Sequence, residues 1–182
     1  MANYGIANST AMGAGNVQAA ISATYKSLVV IGNSTTSTAT FGTGGLKRGK
    51  LYDLLIGTNG TPADNFLEFD ITRVVVGTSS VLGGGLSSLS SNFGLDPADS
   101  NGFVNLCTIN TSIETAMTAT TEAWYIGINQ RASYRWVAAP GSEIVWPAVS
   151  SSVTTGGNGV AVRARSAAYT GTATGNVLWQ EQ

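Results

Sequence analysis

Glu68 and Asp70 stand two residues apart in the segment FLEFDITR. In an extended chain that spacing points both carboxylates to the same side. Carboxylates about 5–10 Å apart can hydrolyse a glycosidic bond, one giving a proton while the other serves as nucleophile or base. Acids alternating with Leu67, Phe69 and Ile71 are also what any half-exposed strand displays. Nothing else in the chain points to a sugar cleft, so a glycan-acting enzyme is carried only as an alternative, and no catalysis is expected. The chain has no histidine, which removes Ser–His–Asp and Cys–His chemistry and the commonest metal ligand. GGLKRGKL, residues 44–51, has the Gly44, Gly49 and Lys50 spacing of the first part of a phosphate loop. Leu51 stands where a magnesium-binding hydroxyl belongs, and the next residues read as a strand rather than a phosphate-facing helix. Asp64, Asp96 and Asp99 lack calcium-loop spacing and suit turns and caps. A single cysteine, Cys107, forms no intrachain disulfide and no cysteine-based zinc site. No metal or cofactor is expected.

The densest functional chemistry is NQRASYRWVAAPGSEIVWP, residues 129–147, with two arginines, a tyrosine and two tryptophans. A single-strand nucleic-acid platform needs bases stacked and phosphates paired in one groove. Alternation instead puts Tyr134 and Trp136 on one side and Arg131 and Arg135 on the other. The aromatics, with Trp146, read as core anchors. The arginines read as free to pair with Glu143 or to reach a neighbouring protein. Ala139–Ser142 has Pro at the second and Gly at the third position, a type II turn, which predicts a corner or loose hairpin. VAVRARS repeats the pattern, with Arg163 and Arg165 opposite Val160, Val162 and Ala164. Four such arginines on two strands would make a basic stripe. Arginine also suits bidentate carboxylate pairing at protein interfaces.

The elements that position these groups are strands. Short apolar or alternating runs recur between turn signals: SLVVIG, KLYDLLIG, FLEFDITRVVVG, VNLCTI, AWYIGINQ, ASYRWVA, EIVWP, GVAVRARS and GNVLWQEQ. That pattern predicts an all-β sandwich or barrel. LDPADSNGF carries a helix-start signal at Asp96 and Pro97. Residues 1–24 are small and polar with scattered anchors, Tyr4 and Ile6 among them, and read as an arm that orders against something else. Residues 25–182 then form one domain. The chain has 182 residues, 43% hydrophobic and only 10% charged, with nine basic and ten acidic residues. An average soluble domain has about 25% charge. A charge-poor surface suits a chain that stays assembled, since interface cores are depleted in Lys, Glu and Asp. The balanced charge offers no pull toward nucleic acid, and no run is long and apolar enough for a membrane-spanning helix.

The strings RGKLYDLLIGTNGTPADN, FLEFDITR, NQRASYRWVAAPGSEIVWPA and RARSAAYTGTATGNVLWQEQ together resemble small β-rich structural proteins of tailed-bacteriophage virions, in particular capsid decoration (cement) proteins. The resemblance covers most of residues 47–76 and 124–182. It implies a β-sandwich, jelly-roll-like, bound to the outer surface of the assembled capsid after synthesis in the host cytoplasm. The implied partners are the major capsid protein and sister subunits, with a homotrimer favoured. A tail, fibre or receptor-binding virion component is the alternative, and would show exposed aromatics in a sugar-sized groove. Candidate protein-interface residues are Tyr4, Ile6, Arg131, Arg135, Arg163 and Arg165.

Overall fold

The computed structural model describes residues 3–7, 21–32, 48–59, 61, 63–76, 86–88, 93–96, 108–110, 117–146, 157–169 and 171–181. All regular structure among them is β. The strands are β1 (Asn3–Ala7), β2 (Lys26–Gly32), β3 (Gly49–Asn59), β4 (Phe66–Val76), β5 (Leu86–Ser88) and β6 (Phe93–Gly94). They continue with β7 (Thr108–Asn110), β8 (Met117–Asn129), β9 (Tyr134–Val137), β10 (Ile144–Trp146), β11 (Gly157–Arg165) and β12 (Thr172–Glu181). Two antiparallel sheets result, as the turn-punctuated alternation predicts. Sheet one runs β10–β3–β12–β1–β6, with β9 also on β3; sheet two runs β5–β7–β2–β11–β4–β8.

The consecutive strands β11 and β12 hold the centre of the two sheets. β12 lies between β3 and β1, and β11 lies between β4 and β2. The core gathers the apolar parity of these strands: Leu54 and Ile56, Val177 and Trp179, Leu67 and Phe69, Val160 and Val162. Alternation along β12 is strict, odd residues buried and even residues at least partly exposed. Gly49 is required by close packing. A Cβ there would lie 1.9 Å from the ring of Trp146, whose side chain is fully buried.

Two expectations about the elements are corrected. Of the expected arm, residues 8–20 lie outside the described residues, and residues 3–7 are not separate from the domain. They form a strand of this chain's own sheet, paired with β12 on one side and β6 on the other. Tyr4 is accordingly buried, its ring stacked on Trp179 at 5.7 Å between centroids. The physical reason is that Tyr4 and Trp179 are register partners on the inward face. Ile6 pairs in register with Val177. Ile21 is buried too, and its N–H donates to the Gly171 carbonyl.

The second correction concerns Pro140–Gly141. The turn forms as expected: Ser142 N–H donates to the Ala139 carbonyl at 2.9 Å, and Gly141 has φ +85°. It makes neither a corner nor a hairpin. β9 and β10 both pair antiparallel with β3, Val137 opposite Asp53 and Ile144 opposite Leu51. They are two pieces of one edge strand, and residues 138–143 loop out between them. The helix signal at LDPADSNGF continues past Asp96 outside the described residues, as do Gly44, Asp99 and Cys107.

Candidate functional site

The chemistry-bearing residues gather on the outer face of sheet two, and register explains how. Arg163 lies directly opposite Asp70, and Arg165 directly opposite Glu68, across the β11–β4 pair. Arg163 grips Asp70 with two nitrogens, Nε to Oδ1 at 2.9 Å and Nη2 to Oδ2. Arg165 Nε donates to Glu68 Oε2. Both guanidinium carbons stand 4.5 Å from the centroid of the Tyr25 ring, within cation–π range. Carboxylates, guanidiniums and ring thus form one closed network.

Burial grades along this ladder. The Asp70 side chain has 0% exposure and Arg163 13%, while Glu68 has 23% and Arg165 43%. Burial pushes the Asp70 carboxyl above its ordinary range, against the opposing pull of the Arg163 guanidinium. The hydrogen bond to Glu68 raises Arg165. Burial also raises the Tyr25 hydroxyl, with the Asp70 charge adding to it.

The same face carries two large exposed rings. Phe66 precedes Glu68 by two residues on β4 and is 57% exposed. Its ring covers Gly127, where a Cβ would lie 2.1 Å from it. Tyr125, opposite Asp70 on β8, is 47% exposed. Desolvation raises its hydroxyl, as do the charge of Glu68 and a hydrogen bond to it. Beside Phe66 a depression of about 350 Å³ opens between β4, the end of β11 and the segment before β2.

Of the remaining candidate arginines, Arg135 belongs to the other sheet and Arg131 to the turn after β8. Arg135 clasps Asp53 across β9–β3, Nε to Oδ1 at 3.0 Å and Nη2 to Oδ2 at 2.5 Å. Arg131 Nε lies 3.0 Å from Asp64 Oδ1, both side chains more than half exposed. No stripe of four arginines forms, because strands β9 and β11 lie in different sheets. Arg135 also pairs with Asp53 rather than Glu143. Glu143 instead has its carboxyl lowered by its own backbone N–H and that of Gly141.

The aromatics of residues 129–147 divide. Trp146 is fully buried, and Trp136 packs partly buried against the core, as expected. Tyr134 is 38% exposed, which corrects its reading as a core anchor. It sits on an edge strand and stacks on Trp124 at 5.9 Å, with Trp136 at 6.3 Å from the same indole. This trio bridges the edge strands of the two sheets, β8 and β9. Gln130 fastens the crossover. Its side chain donates to the Thr61 carbonyl and accepts from Asn65, and its own carbonyl accepts from Thr58.

Arg163 and Arg165 are therefore brought together, Arg131 and Arg135 lie apart from them, and Tyr4 is interior. Arg163, nearly buried and held by Asp70, works inside the fold rather than at a contact. Phe66 and Tyr125 escaped the sequence reading, although parity signals both. Phe66 shares its side with Glu68 and Asp70, and Tyr125 alternates with Trp124 and Ile126. Asp70 has no solvent-facing surface with which to reach a sugar. No family model, curated protein or solved structure matches the chain.

Proposed function

We propose that the chain is a virion structural protein of a tailed bacteriophage, a capsid decoration or cement protein. It binds the outside of the assembled capsid and stabilises it by bridging major capsid subunits, without catalysis. The observation that carries this reading is the internal pairing of the four arginines singled out in the sequence. Arg131, Arg135, Arg163 and Arg165 each pair with a carboxylate of the same chain. No cationic track is left for a polyanion by these four. Exposed Phe66 and Tyr125 stand instead beside fixed arginines, the residue types that dominate protein-interface energetics.

The resemblance in residues 47–76 and 124–182 agrees with this reading and extends it to a jelly-roll-like sandwich. Supporting that topology, β3 and β12 pair in one sheet while their chain neighbours β4 and β11 pair in the other. A homotrimer on the capsid fits the low charge, and many weak contacts repeated over a lattice sum to strong retention.

The test is the particle. Virions produced without this chain should unfold or release their genome at lower temperature than complete virions, and cryo-microscopy should place the protein on the outer capsid. Unchanged heat tolerance with an unchanged capsid surface would reject the cement role. Density at the tail tip or on fibres would assign it to the receptor-binding class, which the exposed Phe66 beside a concave depression also favours.

A further inference from the structure

Resting on that reading, we propose that the depression beside Phe66 receives one uncharged, apolar side chain of the neighbouring virion protein. Its lining is mainly small and apolar, Ala23, Phe66, Ala167 and Ala168, and is completed by Glu68, Arg165 and Ser166. The walls come from three separate segments that hydrogen bonds tie together. Ser166 N–H donates to the Ser22 carbonyl at 2.8 Å, and Ser166 Oγ donates to the Phe66 carbonyl at 2.7 Å. The same Oγ accepts from the backbone N–H of Ala168 at 3.3 Å and of Tyr169 at 3.1 Å. Phe66 itself lies against Gly127. The cavity is thus formed before any partner arrives, which lowers the ordering cost of binding.

Charge complementarity selects the occupant. Among the polar lining residues, Glu68 already accepts from Arg165, whose guanidinium lies over Tyr25. Ser166 Oγ is likewise engaged. A charged ligand would find its complement already neutralised. A saccharide would have to displace these bonds to satisfy its hydroxyls, whereas an apolar side chain needs only the exposed alanines and the ring. Anchor side chains filling such pockets beside aromatics and arginines are the usual centres of binding energy.

The experiment adds purified chain to particles lacking it and measures retention. Ala167 and Ala23 are exposed residues of the lining, so Ala167→Trp and Ala23→Trp each fill the depression without touching the core. Circular dichroism checks that each variant is folded. Losing a buried aliphatic anchor should weaken binding roughly ten- to a hundredfold, while Asn176→Ala, exposed on β12 of the other sheet, should bind as the wild type does. Two folded fillers that bind like wild type would overturn the pocket and leave the cement role standing. A wild-type chain that does not bind the particles would overturn both. A third measurement titrates glucose and N-acetylglucosamine while following the Phe66 ring resonances. Shifts abolished by Ala167→Trp, with particle binding intact, would replace the apolar anchor by a sugar.

Discussion

Asp70 holds a carboxylate where water does not reach, and Arg163 is what makes that tolerable. Arg163→Ala would leave the charge buried without its partner. The expected loss is about 3–5 kcal/mol of unfolding free energy, read by urea denaturation. Replacing both, Arg163→Met with Asp70→Leu, should recover most of it, because the desolvation of two ions disappears with them. The raised pKa of Asp70 fixes the sign of its pH dependence. Between the unfolded value, near 3.8, and the higher folded value, the native state binds more protons. Stability from this group is therefore greatest in acid and declines as pH rises through the folded pKa. Denaturation of wild type and Asp70→Asn across that range should show the difference, wild type minus variant, growing as pH falls. Parity made the pairing half legible, since Glu68 and Asp70 share a side and so do Arg163 and Arg165. That Arg163 meets Asp70 was not legible, because 93 residues separate them and only strand register joins them.

At the scale of elements, the interrupted edge of sheet one is the feature with the clearest consequence. A free edge strand is a template for pairing with another copy. Here the six residues 138–143 divide it into pieces of four and three residues, and the Ala138 N–H is retained by the Tyr52 carbonyl. Deleting residues 139–143 would leave Ala138 opposite Tyr52 and join β9 to β10 without a break. The shortened chain should self-associate more strongly, visible as a larger mass in sedimentation at equal concentration. Gly49 is the packing counterpart. Gly49→Ala drives a methyl into the immobile ring of Trp146 and should cost about 3 kcal/mol or more, seen as a lowered Tm. The turn glycine is milder. Gly141→Ala meets nothing within 4 Å and should cost only about 1–2 kcal/mol for its positive φ. The turn at Pro140–Gly141 was readable because its residue types fix backbone angles locally. Its place inside one edge strand was not, because that depends on which strand both flanks choose.

For the whole molecule, the internal pairing of the arginines predicts how it meets a partner. With a net charge of −1 and Arg131, Arg135, Arg163 and Arg165 each paired within the chain, long-range attraction contributes little to association. On the proposed capsid role, retention on particles should change by less than about threefold between roughly 0.05 and 0.5 M salt, where Debye screening would strip a charge-driven contact. A steep salt dependence would instead mean that carboxylates on the partner break the Arg165–Glu68 or Arg135–Asp53 pairs on binding.

Composition and alternation by themselves determined that this chain is all-β, that Glu68 and Asp70 share one strand side and Arg163 and Arg165 another, opposite their apolar neighbours, and that nucleophile–histidine chemistry is closed to it. These follow from residue type and a period of two, which act locally. Only the tertiary structure decided that Tyr4 lies inside, that Tyr134 lies out, that Arg131, Arg135, Arg163 and Arg165 are tied to carboxylates of the same chain, and that Phe66 stands exposed over Gly127. Each of those depends on strand register between distant segments. A pleated strand tells its residues which of two sides they take, but which side becomes the core is settled by the strands and sheet that pack against it.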